Sequence, residues 1–186
     1  MKYAVGIDIG GTNTRVALIN ESYEIIERIQ FLTDVDDPDK TMDKIVETIS
    51  SFKLDIVGVG MSCPGPLDLI KGKILTTPNL HGKWHDCEIS KKLEEKIHIP
   101  VYLENDANLA ALAESIIGEG KAYDYVQYLT VSTGLGAGLV INKKIFIGAH
   151  GFANEVANCC MKHKGPSHGM IYPGGIEAIS SGTGII

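Results

Sequence analysis

"GIDIGGTNTRVALI", residues 6–19, decides how the rest of the chain is read. A β-rich run ends in the paired glycines Gly10 and Gly11, and a second β-rich run follows almost at once. Paired glycines permit a tight turn with backbone N–H groups pointing outward, and Thr12, Asn13 and Thr14 add side-chain donors suited to cradling phosphate. Asp8, just before the glycines, can hold Mg²⁺ directly or through water, because that hard cation accepts carboxylate and phosphate oxygens together. An ordinary glycine hairpin with a satisfied aspartate gives the same pattern, so one turn leaves both readings open. A second turn favours phosphate. "LTVSTGLGAGLVI", residues 129–141, repeats the theme with Thr133, Gly134 and Gly136. Two related domains facing a shared cleft would hold a triphosphate from both sides in this way. Neither turn matches GxxxxGK[ST] or the strand–GxGxxG–helix order, which disfavours a P-loop enzyme and a Rossmann dehydrogenase.

Outward from the first turn, "TRVALIN" and "YEIIERIQF" continue as an antiparallel meander with a turn at Asn20, Glu21 and Ser22. "DPDKTMDKIVETISSF" has Pro38 near its start and Met42, Ile45, Val46 and Ile49 at helical spacing, so an amphipathic helix follows. "DIVGVGMS" reads as a buried strand, "LIKGKIL" as a hairpin around Lys71 and Gly72, and "EISKKLEEKI" as a helix ended by Pro100. "VYLE" is the next strand. Ala107–Ile117 is helical with Gly118 as its C-cap, and "YVQYLTVS" and "GAGLVIN" begin a second sheet near residue 124. "GIEAISSGTGII" suggests a short helix.

The chain has 186 residues, 44% of them hydrophobic, enough for one core or two small ones. A net charge of −6 without basic clustering argues against nucleic acid and for small-molecule partners. No run approaches the ~18 apolar residues of a spanning helix, and Met1-Lys2 leads into a strand and not a signal-peptide core, so no membrane partner and a cytoplasmic location are expected. Cys63, Cys87, Cys159 and Cys160 lack framework spacing and are expected as thiols, with the adjacent Cys159 and Cys160 read as buried small residues.

Six stretches carry a resemblance: "GIDIGGTNTRVALI", "CPGPLD", "TPNLHGKW", "ENDANLAALAE", "TVSTGLGAGLVI" and "GAHGFANEV". They stand in the order found in the ROK family of sugar kinases, repressors and related proteins, and the chain resembles that family along most of its length. The resemblance implies an α/β, actin-like and hexokinase-like ATPase fold (ribonuclease H-like), with two α/β domains around a cleft. It divides the chain at 1–118 and 119–186, the second domain incomplete. Family repressors carry a DNA-binding winged helix before the first phosphate motif, which here begins close to Met1, so the kinase branch and no nucleic-acid partner are implied.

By the same resemblance, Asp8, Gly10, Gly11, Thr12 and Asn13 form the first ATP phosphate motif, with Mg²⁺ on Asp8 through water. Thr133, Gly134 and Gly136 form the second motif. Asn105 would hydrogen-bond a hexose hydroxyl, and Asp106 would act as general base for the phosphorylated hydroxyl, commonly the 6-OH of glucose or a related hexose. Chemistry agrees, since phosphoryl transfer needs positioning and charge neutralisation, and a carboxylate within reach of the alcohol suffices as base. A helix start also favours the ionised carboxylate, although the same position suits a plain helix cap. Gly65, Asn79, Glu155 and Glu177 match further sugar-pocket positions, with an exposed helix residue the plain alternative for Glu177.

Three departures stand out. Zinc-containing members follow the glutamate with a His and then C-x-C-G-x-x-G-C-x-E; here "HGMIYPGGIE" puts His168, Met170 and Gly175 in the Cys places, and Asn158 takes the place of the His. No zinc site is expected, because structural zinc wants four N or S ligands. Asn158 and Asn154, the latter where small residues are usual, point to an unusual sugar. Family members are also longer, so the resemblance implies a C-terminally truncated kinase with uncovered apolar surface and poor ATP affinity. The family often pairs through its second domain, which makes a homodimer an open expectation. The leading reading is an ATP-dependent, glucokinase-like hexose kinase; the alternative is a non-catalytic sugar-binding or regulatory protein.

Overall fold

The computed structural model describes residues 1–77 and 79–185. Backbone contacts divide it into two compact units, Met1–Asp106 and Ala107–Ile186.

The first unit is built on a five-stranded sheet in the order β3-β2-β1-β4-β7, where β1 is Tyr3–Ile9, β2 Asn13–Asn20, β3 Ile25–Leu32, β4 Ile56–Cys63 and β7 Val101–Asn105. The first three strands form the antiparallel meander expected from their alternation, and β4 and β7 add parallel to β1. Alternate residues Val5, Ile7 and Ile9 of β1 and Val59, Met61 and Cys63 of β4 are buried, as a strand period of two requires. Against them pack Met42, Ile45 and Ile49 of α1 (Pro38–Ser51) and Ile89 and Leu93 of α2 (Ile89–Ile97). Helix α1 starts because Pro38 presets its first turn and the Asp37 carboxylate accepts the Asp39 N–H at 3.1 Å. Between them lie the small hairpin β5 (Leu67–Asp68) and β6 (Lys73–Ile74), whose tip holds Lys71 and Gly72. Trp84 is fully buried, and its indole N–H donates to the Asp34 carbonyl at 2.8 Å.

The second unit carries helix α3 (Asp106–Ile116, of which Ala107 onward belongs here), a three-stranded sheet β10-β9-β8 and two short helical turns. Here β8 is Tyr125–Val131, β9 Leu135–Ile141 and β10 Lys144–Ile145, followed by α4 (Glu177–Ser180) and α5 (Gly182–Ile185). A boundary after Gly118 was expected, yet α3 groups with the second unit. Glycines on β9 explain it: a Cβ on Gly138 would fall 2.5 Å from the Ala107 carbonyl oxygen, and one on Gly136 3.3 Å from the Ala107 Cβ. Only glycine lets the helix backbone settle so close to the strand. Gly118 differs from the left-handed cap expected of it, since its φ is −91°, although its N–H does close on the Ala113 carbonyl at 3.2 Å. On β8, Tyr125, Leu129 and Val131 are exposed. Among the described residues no helix is long and apolar enough to cross a membrane.

Candidate active site

In the first unit, strand register assembles the site. Asp8 of β1 lies opposite Ser62 of β4, Ser62 opposite Glu104 of β7, and Cys63 opposite Asn105. All three strands are parallel, so their carboxyl ends open on one edge, where ligands bind in open α/β sheets. Asp106 follows on that edge as the first residue of α3 and is exposed. A Cβ on Gly65 would lie 3.8 Å from Asn105 Nδ2, so the loop after β4 runs beside the Asn105 amide. The buried Cys63 thiol feels the whole group: burial raises its pKa first, and the nearby Asp106 and Asp8 carboxylates raise it further.

Asp8 is held from two sides. Its Oδ1 accepts from Ser62 Oγ at 2.8 Å, and its Oδ2 accepts from Arg15 Nη1 at 2.8 Å, while Arg15 Nε donates to Gln30 Oε1 at 3.1 Å. Both ion-pair partners are about half exposed, so the pair contributes orientation more than stability. A carboxylate offers about four lone-pair sites and two are used here. The remaining two are open to a further donor or to a cation, directly or through water.

The first glycine turn closes through Gly10 N–H to the Asn13 carbonyl at 3.0 Å. Thr33 frames it from behind: its hydroxyl donates to the Gly10 carbonyl at 2.8 Å, and its N–H donates to the Thr12 carbonyl at 3.1 Å. Because that single hydroxyl proton is committed to Gly10, the buried Thr14 hydroxyl must donate to Thr33 Oγ1, 2.9 Å away. Thr33 carries no motif signal that would mark it in the sequence. Gly11 touches Asn79, where a Cβ would come within 2.5 Å of the Asn79 Cβ, so the turn and the "TPNL" loop pack together. Asp8, Gly10, Gly11, Thr12, Asn13, Gly65, Asn79, Asn105 and Asp106 thus share one region. A groove of about 870 Å³ on the same unit, lined by Leu69, Gly72, Ser90, His98 and Tyr102 among others, contains none of the expected site residues.

In the second unit, Glu177 lies on the second glycine turn. Its Oε2 accepts the Leu135 N–H at 2.7 Å, and a Cβ on Gly134 would stand 2.7 Å from the same oxygen. Thr133 is tied to α5, its carbonyl accepting from the Thr183 hydroxyl at 2.5 Å. Gly136 sits inside β9, where it makes room for α3. Glu155 and Asn158 lie on the exposed side of the following loop. The Ala157 carbonyl accepts the Glu177 N–H at 3.1 Å, which brings the Asn158 neighbourhood beside Glu177. Asn158 Oδ1 accepts the Tyr172 N–H at 2.8 Å. Asn154 adopts φ 66°, a left-handed conformation that asparagine tolerates better than most residues, and its buried Nδ2 has no hydrogen-bond partner among the described residues. Cys159 and Cys160 are exposed, against the burial expected of them. Their loop turns outward while its backbone pairs with Gly175 and Ile176, leaving the side chains no core to enter. Among the described residues no three His, Cys, Asp or Glu side chains converge as a metal site would require.

A parallel sheet edge with an aspartate before a glycine turn is the phosphate corner of the actin-like ATPase fold, and this is the fold of the chain. The ROK family profile matches residues 4–186, and the chain belongs to that family. It is 31% identical over 172 residues to the xylose repressor of Bacillus subtilis (strain 168), which covers 88% of this chain and 44% of the repressor. It is 31% identical over 193 aligned positions to the glucokinase of Halalkalibacterium halodurans, 99% of this chain and 58% of the relative. The crystal structure of a ROK family glucokinase from Streptomyces griseus in complex with glucose and AMPPNP superposes with a TM-score of 0.82 at 30% identity, over 98% of this chain and 58% of that one. The chain spans about half the length of these curated relatives.

Proposed function

We propose that the chain carries the sugar and phosphate corner of an ATP-dependent hexose kinase. The carboxylate of Asp106 takes the proton from a hexose hydroxyl, commonly the 6-OH, as that oxygen attacks the γ-phosphorus of ATP. The bond from γ-phosphorus to the β,γ-bridging oxygen breaks, and ADP leaves. Asn105, Asn79 and the Gly65 loop position the sugar, with Glu155, Asn158 and Glu177 supplying further partners for its hydroxyls. Backbone N–H groups of the turn at Gly10 and Gly11, with Thr12 and Asn13, receive phosphate oxygens, and Thr133 and Gly134 receive others. Bound Mg²⁺ neutralises phosphate charge, and Asp8 would hold it through water.

The observation that carries this reading is the strand register that lines up Asp8, Ser62 and Glu104 at the carboxyl edge of the sheet, directly before Asn105 and Asp106. A base, an amide for the sugar and a carboxylate for the metal water are the parts such a transfer needs. The 31% identity to a xylose repressor favours a second reading, a sugar-responsive regulatory protein without turnover. A hexose panel separates them: sugar binding is followed by Trp84 fluorescence and ADP release by a coupled assay, in the full-length protein carrying these residues. The kinase reading expects both signals, with Asp106→Asn abolishing ADP release while sparing sugar affinity. Sugar binding without any ADP, or near-normal turnover in that variant, would refute it.

A further inference from the structure

Lys143 occupies the tight turn between β9 and β10, where Ile141 pairs with Lys144 and leaves Asn142 and Lys143 as the two turn residues. Both have positive φ, 49° and 63°. Two-residue turns of this hand favour Asn followed by Gly, because a side chain at the second position is strained there. A lysine in that place calls for a reason.

Its ammonium supplies one. Lys143 Nζ lies 2.7 Å from the Ser115 carbonyl oxygen, 2.9 Å from those of Lys121 and Tyr123, and 3.4 Å from that of Gly120. Four main-chain carbonyls, from the end of α3, the following 3-10 turn (Glu119–Ala122) and its C-cap Tyr123, converge on one cation. Among the described residues it has no ion pair with a carboxylate. An ammonium has three protons and no acceptor, so this cage spends all its donors on carbonyls. Helix α3 has no basic residue in its last turn, and the last carbonyls of a helix have no partners of their own. Lys143 brings the missing positive charge from a remote segment.

We propose that the Lys143 ammonium is a tethered stand-in for a monovalent cation, and that the carbonyl cage is a latent site for K⁺ or NH₄⁺. Carbonyl oxygens at 2.7–2.9 Å, as those of Ser115, Lys121 and Tyr123 are, replace part of the hydration shell of K⁺, which ammonium resembles in size, whereas Na⁺ and Li⁺ are too small to reach all three at once. In the native chain the tether makes the site permanent and independent of salt. It anchors the far end of the helix that begins at Asp106.

The test uses the intact chain and two variants, melted at matched ionic strength in the chlorides of K⁺, NH₄⁺, Na⁺ and choline. Lys143→Gly removes the ammonium and relieves the turn strain together, so an unimportant lysine would leave the protein as stable as before or more so. The cage instead predicts a Tm about 5 °C lower in choline or Na⁺. K⁺ or NH₄⁺ should return roughly half of that loss by binding the folded state, with the native chain indifferent to the cation. Lys143→Met fills the space without charge, and should be destabilised and unresponsive to every salt. Equal action of all cations on the glycine variant, full stability in choline, or failure to recover it folded in any of the salts would overturn the proposal.

Discussion

The frame of the first glycine turn rests on two hydroxyls, and its energetics follow from which way they point. Thr33 Oγ1 donates to the Gly10 carbonyl and receives the proton of Thr14, whose side chain is wholly buried. Thr33→Val keeps the shape, removes both bonds and leaves the Thr14 hydroxyl with no acceptor in a dry place. Losing an ordinary bond costs about 1 kcal/mol, and an orphaned buried group adds about 1–3 kcal/mol, so a loss of about 2–4 kcal/mol is expected. Thr14→Val removes one donor and leaves the Thr33–Gly10 bond intact, at about 1 kcal/mol. The double variant has no orphaned Thr14 hydroxyl, so it should cost about 2 kcal/mol, less than the sum of the singles by about 1 kcal/mol or more. Trp84 is the only tryptophan, fully buried in the same unit, so its fluorescence in urea reports on this unit selectively. With a typical urea slope, Thr33→Val should move the midpoint down by about 1 M. Additivity within about 0.5 kcal/mol, or a Thr14 variant weaker than the Thr33 variant, would refute the assigned proton directions.

Two further outcomes follow from the same geometry. Gly11→Ala would drive a methyl to 2.5 Å from the Asn79 Cβ, so the turn and its loop must separate; the Trp84 urea midpoint should fall, and phosphate-analogue affinity should fall more than sugar affinity in paired titrations. Thiol titration of the native chain with a disulfide reagent should label Cys159 and Cys160 at once, and Cys63 and Cys87 only on unfolding, since the latter pair is buried and burial raises both their pKa values. Because the unfolded thiols lose protons at a lower pH than the folded ones, stability should decline as pH rises past the ordinary thiol pKa, and Cys63→Ala should flatten that alkaline decline in melts.

What the sequence disclosed is what short-range pattern encodes. Helix α1 was readable because Met42, Ile45 and Ile49 repeat at 3.6-residue spacing behind Pro38, and the meander because its apolar residues alternate between turn signals. The helix start at Asp106 was readable because a strand end, a polar cluster and an Ala-rich helix follow one another within a few residues. Contacts made across long separations left no local trace. Thr33 reaches Gly10 from 23 residues away, and inside a β-rich segment a threonine is an ordinary strand former. The assignment of α3 to the second unit depends on glycines of β9 that looked like phosphate-turn residues, since close packing and backbone flexibility ask for the same amino acid. Cys159 and Cys160 depart from the burial that cysteine composition suggests because their loop pairs its backbone and turns its side chains out.

Replacement of the metal-binding residues in that loop bears on how Glu177 can work. A structural zinc would clamp the segment between Asn158 and Glu177 through side chains, whereas here it is closed mainly by main-chain bonds. Ile176 N–H reaches the Cys159 carbonyl at 2.9 Å, Met161 N–H the Gly174 carbonyl at 2.8 Å and Gly174 N–H the Pro166 carbonyl at 2.7 Å, while Asn158 Oδ1 takes the Tyr172 N–H. Each such bond nets about 0.5–1.5 kcal/mol, so these ties are individually weak and hold the loop together as a set. Those ties deliver Glu177 to the second glycine turn, where its Oε2 is committed to Leu135. A phosphate cannot take the Leu135 N–H while that carboxylate holds it, so a phosphate site at this turn must draw on other donors near Thr133 and Gly134. On the proposed kinase reading, sugar recognition would fall to Oε1 of Glu177, because a carboxylate with one oxygen bound still offers the other. On that reading the same residue would tie the turn to the loop with one oxygen and meet a hydroxyl with the other, coupling two motifs that the sequence presents as separate.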